Sequence, residues 1–272
     1  MWKIKEIWSS LKRTGFKRVE LTSGYIIAKR EYHKNLPYYI FNNNQKGEKP
    51  LVMFVHGYTD TPLLGLATAL DLANAGFVAV LPEAKWHGFE KPDNFKELFA
   101  SDSFIYSMFN VFKETIKGVS ELTTYLQNKS IACKTPVGIS GFSMGGYVSY
   151  IMPLLDKRFS LAAPVSGSPY HYDAKAQEHF NINMNEKILK AMPDIPEPSQ
   201  FINKLSKISW LIQHAKDDET VSYNGSFKFV NLLKQSEGNT DLEYKFYEHA
   251  GHHYEHYMKD TLVAWFSKKI LS

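Results

Sequence analysis

The hydrophobic pattern changes character near residue 50. Before it, Phe16–Leu21, Gly24–Tyr32 and Leu36–Phe41 mix apolar and polar positions, with turns at Thr22-Ser23 and Lys34-Asn35. Such segments predict short β-strands in antiparallel order. Ahead of them, Ile4, Ile7, Trp8 and Leu11 fall on one face of a short helix. After residue 50, Leu51–Val55 and Phe77–Leu81 are apolar on both faces. That is what strands inside a parallel sheet require, because helices cover them on each side. Further strands are predicted at Pro136–Ser140, Leu161–Val165, Ile208–Gln213 and Leu242–Tyr247. Between them lie helical patterns over Phe104–Asn128, from about Gly145, and over Tyr223–Ser236 and Tyr254–Ile270. Another runs from Thr61-Pro62 to Ala75, with Thr61 as N-cap, Pro62 in the first turn and Gly76 as the stop.

Strands that alternate with helices predict an α/β fold, here a mixed, mostly parallel sheet of about eight strands with helices on both faces. Residues 166–207 interrupt the alternation and contain Pro169, Pro193, Pro196 and Pro198. Placed after the carboxyl end of a parallel strand, they read as a small cap insertion over the ligand crevice. No repeat or long linker divides the chain, so residues 1–272 read as a single domain, with 1–50 as an N-terminal helix and antiparallel strands.

Composition narrows the function classes. Of 272 residues, 44% are hydrophobic and 22% charged, enough for a sizeable core and unlike a disordered chain. A formal charge of +4 is too small to announce a nucleic-acid binder. It is unevenly placed: residues 1–50 carry 11 Lys/Arg and 4 Asp/Glu, the remainder 21 and 24. A basic amphipathic helix with Trp8 can make weak contact with an anionic membrane surface; packing on the body of the protein is the simpler use of that face. The lone Cys133 excludes an internal disulfide or a cysteine zinc cluster. The amphipathic start is no secretory signal, and no run reaches the ~18–20 apolar residues of a membrane span. A cytoplasmic protein is expected.

Gly141-Phe142-Ser143-Met144-Gly145 fits G-x-S-x-G between an apolar strand and a helical run. The strand-to-helix turn is so sharp that the flanking positions must lack bulk, and it holds Ser143 above the sheet at a helix N-terminus. His56-Gly57-Tyr58 follows the strand Leu51–Val55. A turn there can aim the backbone N–H of Tyr58, or of Thr59, at the same space and form an oxyanion hole with the N–H of Met144. A serine of ordinary acidity needs a base, and the base an orienting acid. Strand Ile208–Gln213 ends in His214-Ala215-Lys216-Asp217-Asp218-Glu219, and Leu242–Tyr247 in Glu248-His249-Ala250-Gly251-His252-His253. Both loops fall on the sheet edge that carries the serine.

The order Ser…Asp…His, with HGY, GFSMGG, HAKDDETV and HAGHH, resembles the α/β-hydrolase superfamily. The Pro82–Gly88 loop and Ser166–Tyr170 are similar to bacterial short-chain esterases of the dienelactone-hydrolase and prolyl-oligopeptidase-like branch. The resemblance covers about Pro50–Leu271 and implies the α/β-hydrolase fold. Its small-x-x-Asp pattern selects Asp218 as acid over Asp217, and its small-Gly pair selects His252 as base over His253. It further implies cleavage of small-molecule carboxylic esters through an acyl-enzyme, with no cofactor. A serine peptidase, a thioesterase or lysophospholipase, and a non-catalytic ligand receptor are the rival readings. Tyr170 and Phe180 are candidate substrate contacts; His87, after another strand's carboxyl end, is a candidate substrate contact or equally a brace of its loop. His249, His252, His253 and His256 lie close together, but without HExxH and with Gly251 marking a loop they are not read as a metal site.

Overall fold

The structure is a computed structural model that describes residues 3–271 except 23, 101, 102, 135, 172, 180–194, 238 and 239. The strands are β1 (Phe16–Leu21), β2 (Gly24–His33), β3 (Leu36–Asn43), β4 (Leu51–Val55), β5 (Val78–Pro82), β6 (Val137–Phe142), β7 (Phe159–Val165), β8 (Ser209–Ala215) and β9 (Leu242–Tyr247). They form one nine-stranded sheet in the order β1-β2-β3-β5-β4-β6-β7-β8-β9. All nine segments read as strands in the sequence enter it, one more than the rounded count of about eight, and β1 pairs along its whole length with β2 as an outer antiparallel strand. Pairing is antiparallel from β1 through the β3–β5 contact and parallel beyond it.

The described helices are α1 (Ile4–Thr14), α2 (Leu66–Ala75), α3 (Phe95–Leu98), α4 (Phe104–Asn128), α5 (Met144–Leu155), α6 (Ala174–His179), α7 (Ile202–Leu205), α8 (Tyr223–Gln235) and α9 (His256–Ile270). Thr61 accepts a hydrogen bond from the Leu63 N–H, a 3₁₀ turn Pro62–Gly65 leads into α2, and Gly76 ends it at φ 112°. The period of two in the strands splits the core into two layers. Leu51, Met53 and Val55 of β4 face α4, α5 and α8, whereas Val52 and Phe54 face α1, α2 and α9. Each such side chain contributes about 1.5–3 kcal/mol by leaving water, so both helical layers are held by the same strands.

α1 uses its apolar face on the protein itself. Ile7 and Leu11 are buried, Trp8 lies against Tyr39 with ring centroids 5.3 Å apart, and Lys3, Lys5, Lys12 and Arg13 are exposed. No helix among the described residues is long and apolar enough to cross a membrane. Because β4 sits between β5 and β6, the loops after β4 and β6 leave the sheet edge side by side. This is where open α/β sheets form their ligand crevice.

Candidate active site

The turn from β6 into α5 is held by close backbone approach. A Cβ on Gly145 would lie 1.9 Å from the Val55 carbonyl oxygen, and one on Gly141 2.5 Å from the same atom. Only glycine fits either position. Ser143 between them caps α5 with φ 54° and ψ −110°, and its N–H donates to Val165 O at 2.9 Å. The strained elbow lifts the side chain off the sheet, as the sequence pattern requires.

The loops after β8 and β9 converge on that serine. His252 Nε2 lies 2.9 Å from Ser143 Oγ, and His252 Nδ1 lies 2.7 Å from Asp218 Oδ2. Asp218 is wholly buried, and its Oδ1 accepts from the Thr220 and Val221 N–H groups at 2.9 and 2.8 Å. Burial alone would raise this carboxyl, but hydrogen bonds from His214 and His252 and from the Val221 N–H hold it well below the usual carboxylate range. Asp217 points the other way: its Oδ1 accepts from Ala250 and Gly251 N–H groups at 3.1 and 2.9 Å. The two adjacent aspartates therefore divide the work, one meeting the imidazole and one tying down the loop that carries it. Phe142 packs on His252 at 4.8 Å between ring centroids, and the half-buried Asp60 lies close enough to His252 for an electrostatic interaction. Sequence reasoning assigned neither a role.

Beside Ser143 opens a cleft of about 120 Å³. Tyr58 and Met144 line it next to the serine, and Tyr170 lines it from the inserted segment. Its largest wall is one that sequence reasoning missed: Phe104, Ile105, Met108, Phe109 and Phe112 on one face of α4. The signal was an apolar stripe at helical spacing, which by itself reads as core. Two described residues of the segment after β7 meet the loop after β8, with Lys175 Nζ donating to Asp218 O at 2.9 Å and Ser222 N–H donating to Asp173 Oδ1 at 3.2 Å.

The sequence profile of the prolyl oligopeptidase family matches residues 108–271, more than half of the chain. The chain belongs to this family. It is a hydrolase of the esterase–peptidase kind on the α/β-hydrolase fold. YitV of Bacillus subtilis (strain 168), provisionally named an esterase, is 25% identical over 235 residues, covering 82% of this chain and 90% of YitV. TT1662 from Thermus thermophilus superposes with a TM-score of 0.73 at 16% identity, covering 89% of this chain and 97% of TT1662. Acylaminoacyl peptidase of Pyrococcus horikoshii gives 0.65 at 16% identity over 99% of this chain but only 44% of the peptidase. At these identities the two structures share the fold.

Elsewhere in this hydrolase the candidates separate. His87 does not line the cleft; it is 1% exposed, donates from Nδ1 to Lys85 O at 2.8 Å, and stands edge-on behind Tyr58 at 5.8 Å. The sharp turn at Trp86 and Gly88, both at positive φ, folds it inward as a brace. Phe180 lies outside the described residues. His56 is also structural: Nδ1–H donates to Gly57 O at 2.8 Å and Nε2 accepts from Ala84 N–H at 3.1 Å. Burial, aided by His87, pushes His56 down to about 3, so it ties the loops after β4 and β5 together as a neutral ring. His249 faces Asp217 at 3.7 Å while His252 turns inward, so the histidine run does not converge.

Glu83 at the end of β5 braces the same region. Its Oε1 accepts from the Phe89 and Glu90 N–H groups at 2.6 and 3.3 Å. Burial raises its carboxyl from 4.5 to about 7. A raised carboxyl means that the folded state holds the proton more tightly than the unfolded chain. Stability is therefore fully present below the unfolded value and is lost as pH rises through about 7. The loss from this one group is about 3 kcal/mol. Urea unfolding of Glu83→Gln should show a flatter dependence between pH 5 and 8 than the parent chain; an identical slope would contradict the assignment.

Proposed function

We propose that this hydrolase cleaves short-chain carboxylic esters through an acyl-enzyme. The observation that carries the reading is the unbroken hydrogen-bonded line from Asp218 through His252 to Ser143 at the mouth of a small apolar cleft. Ser143 Oγ attacks the ester carbonyl carbon while its proton passes to His252 Nε2. Asp218 holds the imidazole by Nδ1–H and stabilises the imidazolium that forms. The N–H groups of Tyr58 and Met144 receive the oxyanion. When the tetrahedral intermediate collapses, His252 returns the proton to the departing alcohol. Water then repeats the sequence on the acyl-serine and releases the acid. No cofactor takes part in any of these steps.

The cleft takes the acyl part. His252, which must protonate the leaving alcohol, is not among the residues lining it, whereas Ser143, Met144 and Tyr58 are. A volume of about 120 Å³ is well below the ~300–1,000 Å³ of pockets that enclose drug-sized ligands, which favours acetyl to butyryl groups. One fitting methylene is worth only about 1–3 kcal/mol, so the preference is graded. Rates on p-nitrophenyl esters from two to twelve carbons should peak at four or fewer. Tyr170→Ala should shift that profile toward longer chains more than it lowers the best rate. An optimum at ten or more carbons, or a loss equal at every length, would overturn the short-acyl reading. The family's peptidase members favour a second reading, amide cleavage; matched anilides in the same panel test it, and anilides turned over as fast as esters would establish it.

A further inference from the structure

His214 near the end of β8 is wholly buried, and the mechanism above leaves it unused. Its Nε2 lies 3.0 Å from Val221 O and 3.3 Å from Asp218 Oδ2. Its Nδ1 lies 2.8 Å from Ser226 Oγ, which is itself 3.1 Å from Tyr150 OH and 3.2 Å from Gly167 O. The partners of Nε2 fix the proton on that nitrogen. A backbone carbonyl and a carboxylate can only accept, so Nε2 must carry a hydrogen. The Ser226 hydroxyl, which donates to Gly167 O, lies between Nδ1 and the Tyr150 hydroxyl and holds that edge of the ring in place.

The result is a closed ring. Val221 gives its N–H to Asp218 Oδ1 and its carbonyl to His214, and the same imidazole N–H reaches Asp218 Oδ2. Asp218 Oδ2 thus sits between two imidazoles, His214 on one side and His252 at 2.7 Å on the other.

We propose that His214 is the positioning residue of the acid: held in place by Ser226 with its Nε2–H toward the carboxylate, it fixes the plane of the Asp218 carboxylate so that Oδ2 faces His252. This rests on Asp218 being the acid of the triad. Among the described residues, Glu219 beside Asp218 pairs with Lys175 at 3.1 Å and Asp173 accepts from the Ser222 N–H. Lys175 reaches the Asp218 carbonyl from α6, Asp60 faces His252 from the loop after β4, and the Tyr150 hydroxyl borders Ser226 from α5.

The test compares His214→Phe, which keeps the ring shape but has no donor, with His214→Gln, whose amide N–H can reach the same oxygens. On a short p-nitrophenyl ester, His214→Phe should lower kcat by about 10- to 100-fold with KM within about twofold. The acid limb of its kcat/KM profile should move to higher pH, because a carboxylate that has lost a donor holds the His252 imidazolium more strongly. His214→Gln should recover most of the lost kcat and return the limb toward its original place. Should His214→Phe fail to fold, as judged by circular dichroism, Ser226→Ala replaces it and should lower kcat several-fold at unchanged KM. Activity that follows only Tm, with the pH profile unmoved in every variant, would overturn the proposal. Asp218→Asn run alongside separates the two levels. If it is inactive while the His214 variants behave as the parent, the positioning role alone fails; if it is active, the triad reading fails first.

Discussion

Ser143→Ala is expected to lower kcat for a small activated ester by about 10⁵- to 10⁶-fold, the scale seen when a serine triad loses its nucleophile, with the fold intact. Nearby serines cannot replace it. Ser140 is buried and donates to Ala163 O at 2.7 Å, and Ser166 is also wholly buried. The Ser168 hydroxyl is occupied within its own turn by Tyr170. Alanine meets the same backbone strain at φ 54° as serine does, so the substitution removes the hydroxyl and little else. Steady-state rates beside a circular dichroism melt check this. A variant that keeps more than a few per cent of the parent rate at an unchanged Tm would refute Ser143 as nucleophile.

Asp218→Asn should cost about 10⁴-fold in kcat, the scale that follows when the wrong imidazole tautomer is favoured in a serine triad. The amide nitrogen would present a donor where His252 Nδ1–H needs an acceptor at 2.7 Å. Asp217→Asn should cost less than about tenfold, because its side chain is exposed and its Oδ1 can still accept from the Ala250 and Gly251 N–H groups as an amide. Parallel kcat measurements on the two variants decide the assignment. A reversed order would mean that the acid has been misplaced by one residue.

The local parts of this site were legible in the sequence because each is written in a short stretch. Gly141, Ser143 and Gly145 stand at fixed spacing, and the β8 and β9 segments end in acidic and histidine-bearing loops. Parallel strands bring such loops to one edge whatever else the fold does. The helix over Phe104–Asn128 was legible for the same reason. What sequence could not supply is which face of that helix meets the cleft, since Phe104, Met108 and Phe112 read equally well as ordinary core. His87 stayed open between pocket and brace for a related reason: a loop histidine at a strand's carboxyl end can turn outward or inward. The positive φ at Trp86 and Gly88 that turns it inward leaves no mark in a non-glycine residue such as tryptophan. His214 was visible only as the first letter of the acid loop; its link to Ser226 and Tyr150 spans three elements. Asp217 and Asp218 were separated by resemblance rather than by physics, because only the folded loop shows which carboxylate is buried.

The most direct test of the central claim is covalent labelling by a fluorophosphonate, read by peptide mass spectrometry on the parent chain and on His252→Ala. The arrangement of Ser143, His252 and Asp218 predicts a single label on the peptide carrying Ser143, formed rapidly in the parent and slowed by orders of magnitude in the variant. A label on Ser140, Ser166 or Ser168, or equal labelling rates with and without His252, would contradict it.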